Sequence, residues 1–164
     1  MTKRKNFITL FIVGLALLAG ALGGAKAQAS SGVEMAVPPN NTHCLDDDTN
    51  NFSNLQMWSC TGGAEQHWIE QFNANDTFTF MNAHTSLCIT APAAGVATVN
   101  MEPCIGTATQ QWNVFAAGTG ANSYDVWQSV ASGLCLRTNS VANHTEPETW
   151  TCDSSISYER WQIQ

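Results

Sequence analysis

Cys44-Leu45-Asp46, then Cys60 sixteen residues after the first cysteine, then Gln66-His67-Trp68 with its indole eight residues further on, is the stretch from which the fold is read. It recurs twice. Cys88-Ile89-Thr90 precedes Cys104 by 16 residues and Gln110-Gln111-Trp112 follows, and Cys135-Leu136-Arg137 precedes Cys152 by 17 with Glu159-Arg160-Trp161 closing. A period of 44 to 49 residues in three copies marks a fold built from one supersecondary unit, which stacks on its neighbours to bury its apolar face.

Between these marks the pattern is that of strands. Trp68-Ile69-Glu70-Gln71-Phe72 runs to the turn signal Asn73-Ala74-Asn75-Asp76, and Thr77-Phe78-Thr79-Phe80 follows with period-two alternation. The second copy repeats this with Trp112-Asn113-Val114-Phe115, a Gly/Ala/Asn turn and Tyr124-Asp125-Val126-Trp127. The third stops at Trp161-Gln162-Ile163-Gln164, where its partner strand is due, while Val33-Glu34-Met35-Ala36-Val37 stands unpaired ahead of Cys44. The two ends are therefore expected to pair, a closure that removes exposed strand edges. With no long amphipathic helix in view, the expectation is an all-β fold of threefold pseudosymmetry.

Residues 1–27 read differently. Lys3, Arg4 and Lys5 precede an apolar run from Phe7 to Leu22, and Ala25-Lys26-Ala27 has small residues at its outer positions. This is the pattern of a secretory signal peptide, cut after Ala27 or Ala29, and it predicts a secreted, extracellular protein. The other reading is a retained membrane anchor, since the run is about long enough to span a bilayer. Its Gly/Ala-rich second half and the small-residue pattern favour removal, leaving no membrane span. Residues 28–164 then form one domain with Arg137 and Arg160 against 13 acids, a net charge of −11. Such a charge opposes binding to nucleic acid or to anionic lipid, and the lack of any lysine excludes Schiff-base chemistry. Six cysteines in an exported chain point to three disulfides.

The Cys-Leu-Asp opening, Leu55-Gln56-Met57-Trp58-Ser59-Cys60 and the Gln-x-Trp close resemble the ricin B-type lectin family over roughly residues 33–164. The resemblance implies a β-trefoil of three such repeats. Six cysteines allow 15 connectivities, and equivalence of the copies selects one bridge within each: Cys44 with Cys60, Cys88 with Cys104, Cys135 with Cys152. Zinc is the rival use of the cysteines, but their spacings are not of the Cys-x2-Cys kind. The tryptophans of the closing motifs are expected in the core. Their glutamines are expected to bond loop backbone or orient a neighbouring side chain, and Glu159, which lacks the amide donor, should leave the third copy the least rigid.

The resemblance also implies a site for a galactose-type sugar. In that family the aspartate of Cys-x-Asp and the aromatic before the second cysteine hold the ring, with a glutamine two residues before the aromatic and the Asn-Gln pair of the closing motif. By position these are Asp46, Trp58, Gln56 and Glu65-Gln66, where Glu65 departs from the pattern by keeping an acceptor and losing the amide donor. The chemistry agrees, because a sugar needs an apolar face for its C–H side and an acceptor for its hydroxyls. The second copy has Thr90 and Glu102 at the two essential positions and reads as structural. The third keeps Trp150, with Glu148 before it, but has Arg137 for the aspartate and Tyr158-Glu159 at the close, and reads as vestigial.

Asp46-Asp47-Asp48 lacks the Asp-x-Asp-x-Asp-Gly spacing of a calcium loop, so no metal or other cofactor is expected, and Asp47 and Asp48 read as solvated loop charges. Four sequons mark surface loops if the host glycosylates: Asn40, Asn51, Asn75 and Asn143. Asn51 follows Asp46 by five residues, and a glycan there is expected to crowd the site. His43, His67, His84 and His144 fall at unrelated offsets and organise no catalytic set, so the chain is not expected to be an enzyme. Two functions remain: a lectin whose partners are glycans or glycoconjugates, or a trefoil protease inhibitor or toxin-like module that binds proteins through its loops.

Overall fold

A computed structural model describes residues 2–3, 32–38, 40–51, 54–117 and 123–164. Of residues 1–27, the expected signal peptide, the described ones are Thr2–Lys3, here β1, which pairs antiparallel with a later strand at Ala116 and Phe115; the rest lies outside the described residues. The other strands are β2 (Met35–Ala36), β3 (His43–Asp47), β4 (Leu55–Ser59), β5 (Trp68–Phe72), β6 (Phe78–Asn82), β7 (Leu87–Thr90), β8 (Asn100–Pro103), β9 (Trp112–Ala117), β10 (Tyr124–Ser129), β11 (Cys135–Arg137), β12 (Glu148–Trp150) and β13 (Gln162–Ile163). Among the described residues the only helical elements are the single 3-10 turns Ala64–Gln66, Ala108–Gln110 and Ser157–Glu159.

The pairings repeat with the sequence period. β3 pairs β4, β7 pairs β8 and β11 pairs β12, each with its copy's first cysteine on the first strand and the second cysteine one or two residues past the end of the second, while β5 pairs β6 and β9 pairs β10. The third member of the latter set is made from the two ends: β13 pairs β2, with Gln162 opposite Ala36 and Ile163 opposite Met35. Paired backbone bonds between Glu34 and Gln164 extend that contact. This is a β-trefoil, and β2 completes the third repeat.

Trp68, Trp112 and Trp161 are fully buried, and each indole N–H donates to the carbonyl of the residue after its copy's first cysteine, Leu45, Ile89 and Leu136, at 3.2, 3.3 and 3.2 Å. The motif thus ties the last strand of a repeat to its first while removing a buried donor that would otherwise be costly. Phe80 and Trp127 stack between them with centroids 3.9 Å apart, and Met35, Leu45, Leu55, Met57, Ile89 and Leu136 fill the remainder of one core.

All three disulfides lie within their own repeats: Cys44–Cys60, Cys88–Cys104 and Cys135–Cys152. Each closes the ends of one hairpin, a constraint worth about 3 kcal/mol in the chain-entropy picture. No cysteine is left over.

Candidate hollow in the first repeat

The β3–β4 register places Asp46 directly across from Gln56 and Cys44 across from Trp58. Alternation along β4 puts Gln56 and Trp58 on the same face as Asp46. Gln66 enters from the 3-10 turn that precedes the buried Trp68. The result is a clamp on one carboxylate: Gln56 Nε2 donates to Asp46 Oδ1 and Gln66 Nε2 to Asp46 Oδ2, both at 2.9 Å. Gln66 also donates to Ser59 O at 3.0 Å and accepts from Thr61 N at 2.7 Å, so the loop after the second cysteine and the carboxylate are held by one side chain.

Asp46 is 4% exposed, and burial raises its pKa above the ordinary carboxylate value. The bonds from Gln56 and Gln66 oppose that rise, and the charges of Glu65 and Asp48 add to it. Each carboxylate oxygen has spent one of its two acceptor sites on an amide. One acceptor site on each oxygen remains.

Asp46, Gln56, Trp58 and Glu65 line a common hollow of about 180 Å³, joined by Asp48, Thr49, Asn50 and His144. Of the sequence-predicted residues only Gln66 lies behind the wall, acting through Asp46. Trp58 is half-buried, and Glu65 stands beside Asp46 with its Oε1 accepting from Thr61 Oγ1 at 3.4 Å. His144 was not foreseen. It comes from the third repeat, where its ring meets Trp58 edge-on at 4.6 Å and its Nδ1 lies 3.1 Å from Gln56 Oε1. The only sign of this segment in the sequence was its sequon, which says nothing of a contact across 88 residues.

The expectation for Asp47 is overturned. It is fully buried on β3, where its Oδ2 accepts from the Thr85 hydroxyl, and burial raises its pKa as well. The turn between β6 and β7 packs over the end of β3, so the residue latches the first repeat to the second. Asp48 remains partly exposed at the rim of the hollow, its Oδ1 accepting from Asn50 N at 3.0 Å. All four sequon asparagines are exposed. Residues 48–50, just before Asn51, form one wall of the hollow.

The equivalent positions differ in the other repeats. In the second, buried Thr90 replaces Asp46 and accepts from Gln110 Nε2 at 3.1 Å, while Glu102 points to solvent in place of an aromatic. In the third, the Arg137 guanidinium lies 4.0 Å over the Trp150 ring and donates to Glu148 at 2.6 Å. The chain's own cation thus lies over the indole of Trp150.

Models of the ricin-type β-trefoil lectin domain match residues 76–164, and a related ricin-type β-trefoil lectin-like model matches residues 27–101. The chain belongs to the ricin-type β-trefoil lectin family, and its class is therefore that of carbohydrate-binding lectin domains. Among solved structures it is similar to a designed threefold-symmetric protein, ThreeFoil (TM-score 0.72, 17% identity, covering 80% of this chain and 96% of that one). It is also similar to a ricin B-like lectin from Macrolepiota procera in complex with lactose (TM-score 0.67, 14% identity, 82% and 96% covered). A mosquitocidal holotoxin matches at TM-score 0.71 and 13% identity over 82% of this chain, which spans only 17% of that longer protein. No curated protein sequence matches the chain. No helix among the described residues is long and apolar enough to cross a membrane.

Proposed function

We propose that the protein is a secreted lectin that binds a galactose-class glycan in the first-repeat hollow and acts by binding, without catalysis. The observation that carries this is the shared hollow of Asp46 and Trp58: a clamped acceptor and a half-open indole bound the same 180 Å³ space. A ring stacked on the indole would present adjacent hydroxyls to the two oxygens of Asp46. The lactose complex of the Macrolepiota procera relative makes lactose the natural first probe.

Binding by one site is supported by what fills the others. Thr90 offers a weaker acceptor with no aromatic beside it, and Arg137 occupies the face of Trp150. A single sugar site binds weakly, so avidity would come from multivalent glycans or from assembly of several copies.

Export is supported by the amino-terminal pattern and by three disulfides, which oxidising compartments preserve. Cleavage after Ala27 or Ala29 would also remove β1 from β9. A glycan array on the mature protein tests the function. Signals for terminal galactose glycans that vanish in Asp46→Asn and Trp58→Ala are the expected result. A blank array together with tight binding to a protein partner would favour the loop-mediated protein-binding or inhibitor reading instead.

A further inference from the structure

The loop between β11 and β12 is stitched to the first repeat by backbone bonds in both directions. Met57 N donates to Thr145 O at 2.8 Å and His144 N donates to Met57 O at 3.0 Å, while Ser59 N donates to Asn143 Oδ1 at 2.9 Å. These bonds hold His144 at φ 67, a left-handed conformation that non-glycine residues adopt at a cost and that Asn, Asp and His tolerate best. The strained backbone delivers an exposed imidazole to the wall of the hollow.

Its proton can be placed by following the bonds. Gln56 gives its amide nitrogen to Asp46, so the atom facing His144 is the Gln56 carbonyl oxygen, which only accepts. Nδ1 of His144 must therefore carry the hydrogen. In a neutral ring this leaves the lone pair on Nε2, and Nε2 has no partner among the described residues. The charged groups around the ring are Asp46, Asp48 and Glu65, which line the same hollow, and Glu146 on its own loop, which accepts from Asn54 instead.

We propose that His144, supplied by the third repeat, is a ligand-binding residue of the first-repeat hollow, its neutral ring accepting a glycan hydroxyl at Nε2. The inference rests on the reading of the hollow as a glycan site. It adds an acceptor facing Asp46 across the bound ring, and it makes the site a junction of two repeats. A doubly protonated ring would donate at Nε2 instead of accepting, so the acceptor role belongs to the neutral form.

Lactose binding measured by calorimetry at neutral pH tests this with two variants of similar shape. His144→Asn can keep the donor at the Nδ1 position and suits the left-handed backbone, but it has no atom at Nε2. His144→Gln can place an acceptor near Nε2. His144→Asn is expected to bind about threefold or more weakly than wild type, and His144→Gln to stay near the wild-type affinity. A His144→Asn protein with wild-type affinity overturns the inference. If wild type does not bind lactose, it is the galactose-class reading that fails. The imidazole tautomer in the free protein, read from its nitrogen chemical shifts, then decides: a proton on Nδ1 supports the placement and one on Nε2 overturns it.

Discussion

Glu159→Gln should stabilise the protein, because the wild-type side chain occupies a socket made for an amide. In the first two repeats the residue at this position donates to the carbonyl before the second cysteine, Gln66 to Ser59 O at 3.0 Å and Gln110 to Pro103 O at 2.8 Å. Each also accepts from the residue after that cysteine, Thr61 N and Ile105 N. Glu159 keeps only the second half of the pattern. Its Oε2 accepts from Asp153 N at 2.6 Å, and its Oε1 is buried with no partner. A buried polar atom left unsatisfied costs about 1–3 kcal/mol, and restoring one ordinary hydrogen bond returns about 1 kcal/mol. Part of the gain is offset by a weaker bond from Asp153 N and by loss of the attraction to Arg137, so the net expectation is about 1–2 kcal/mol at neutral pH.

The sign with pH follows from burial, which raises the Glu159 pKa above its ordinary value. The unfolded chain then loses this proton more readily than the folded one, so wild-type stability declines as pH rises from the unfolded glutamate value through the folded one. Gln does not titrate. The advantage of Glu159→Gln should therefore be smallest below the unfolded value and fully developed at neutral pH. In differential scanning calorimetry a gain of this size is a rise in Tm of roughly 3–8 °C. An unchanged or lower Tm at neutral pH, or a gain that does not shrink on acidification, would refute the reasoning.

Three other outcomes are expected. Arg137→Ala should uncover Trp150, changing its fluorescence, and cost under about 1 kcal/mol because the Arg137–Glu148 pair is partly exposed; glycan binding at the first repeat should not change. Thr85→Val removes the donor to buried Asp47 and should destabilise by about 1–3 kcal/mol in chemical denaturation, with no loss of lactose affinity. Replacing Cys88 and Cys104 together by serine opens a 16-residue loop and should lower stability by about 3 kcal/mol while leaving the first-repeat hollow intact.

The scaffold was legible in the sequence because its determinants repeat. Three equivalent copies exposed the cysteine pairing, the buried tryptophans and the closure of β13 on β2, each of which is a relation between positions at a fixed period. Half of the hollow's lining was legible for the same reason, since Asp46, Gln56, Trp58 and Glu65 all belong to one copy. His144 was hidden because it reaches the hollow from another copy, through backbone bonds that leave no residue pattern. Asp47 was misread because three consecutive aspartates look like a solvated loop. Strand β3 nonetheless continues through two of them, and the β6–β7 turn covers the second. Glu159 was read correctly as a missing donor, but that its Oε1 is left alone and buried emerged only from the packing.

A crystal structure of the mature protein with lactose tests the central claim most directly. The account predicts a sugar ring lying against Trp58, with hydroxyls on both oxygens of Asp46 and one within reach of His144 Nε2. Sugar bound at Trp150 or elsewhere on the surface, with the first-repeat hollow empty at saturating lactose, would contradict it.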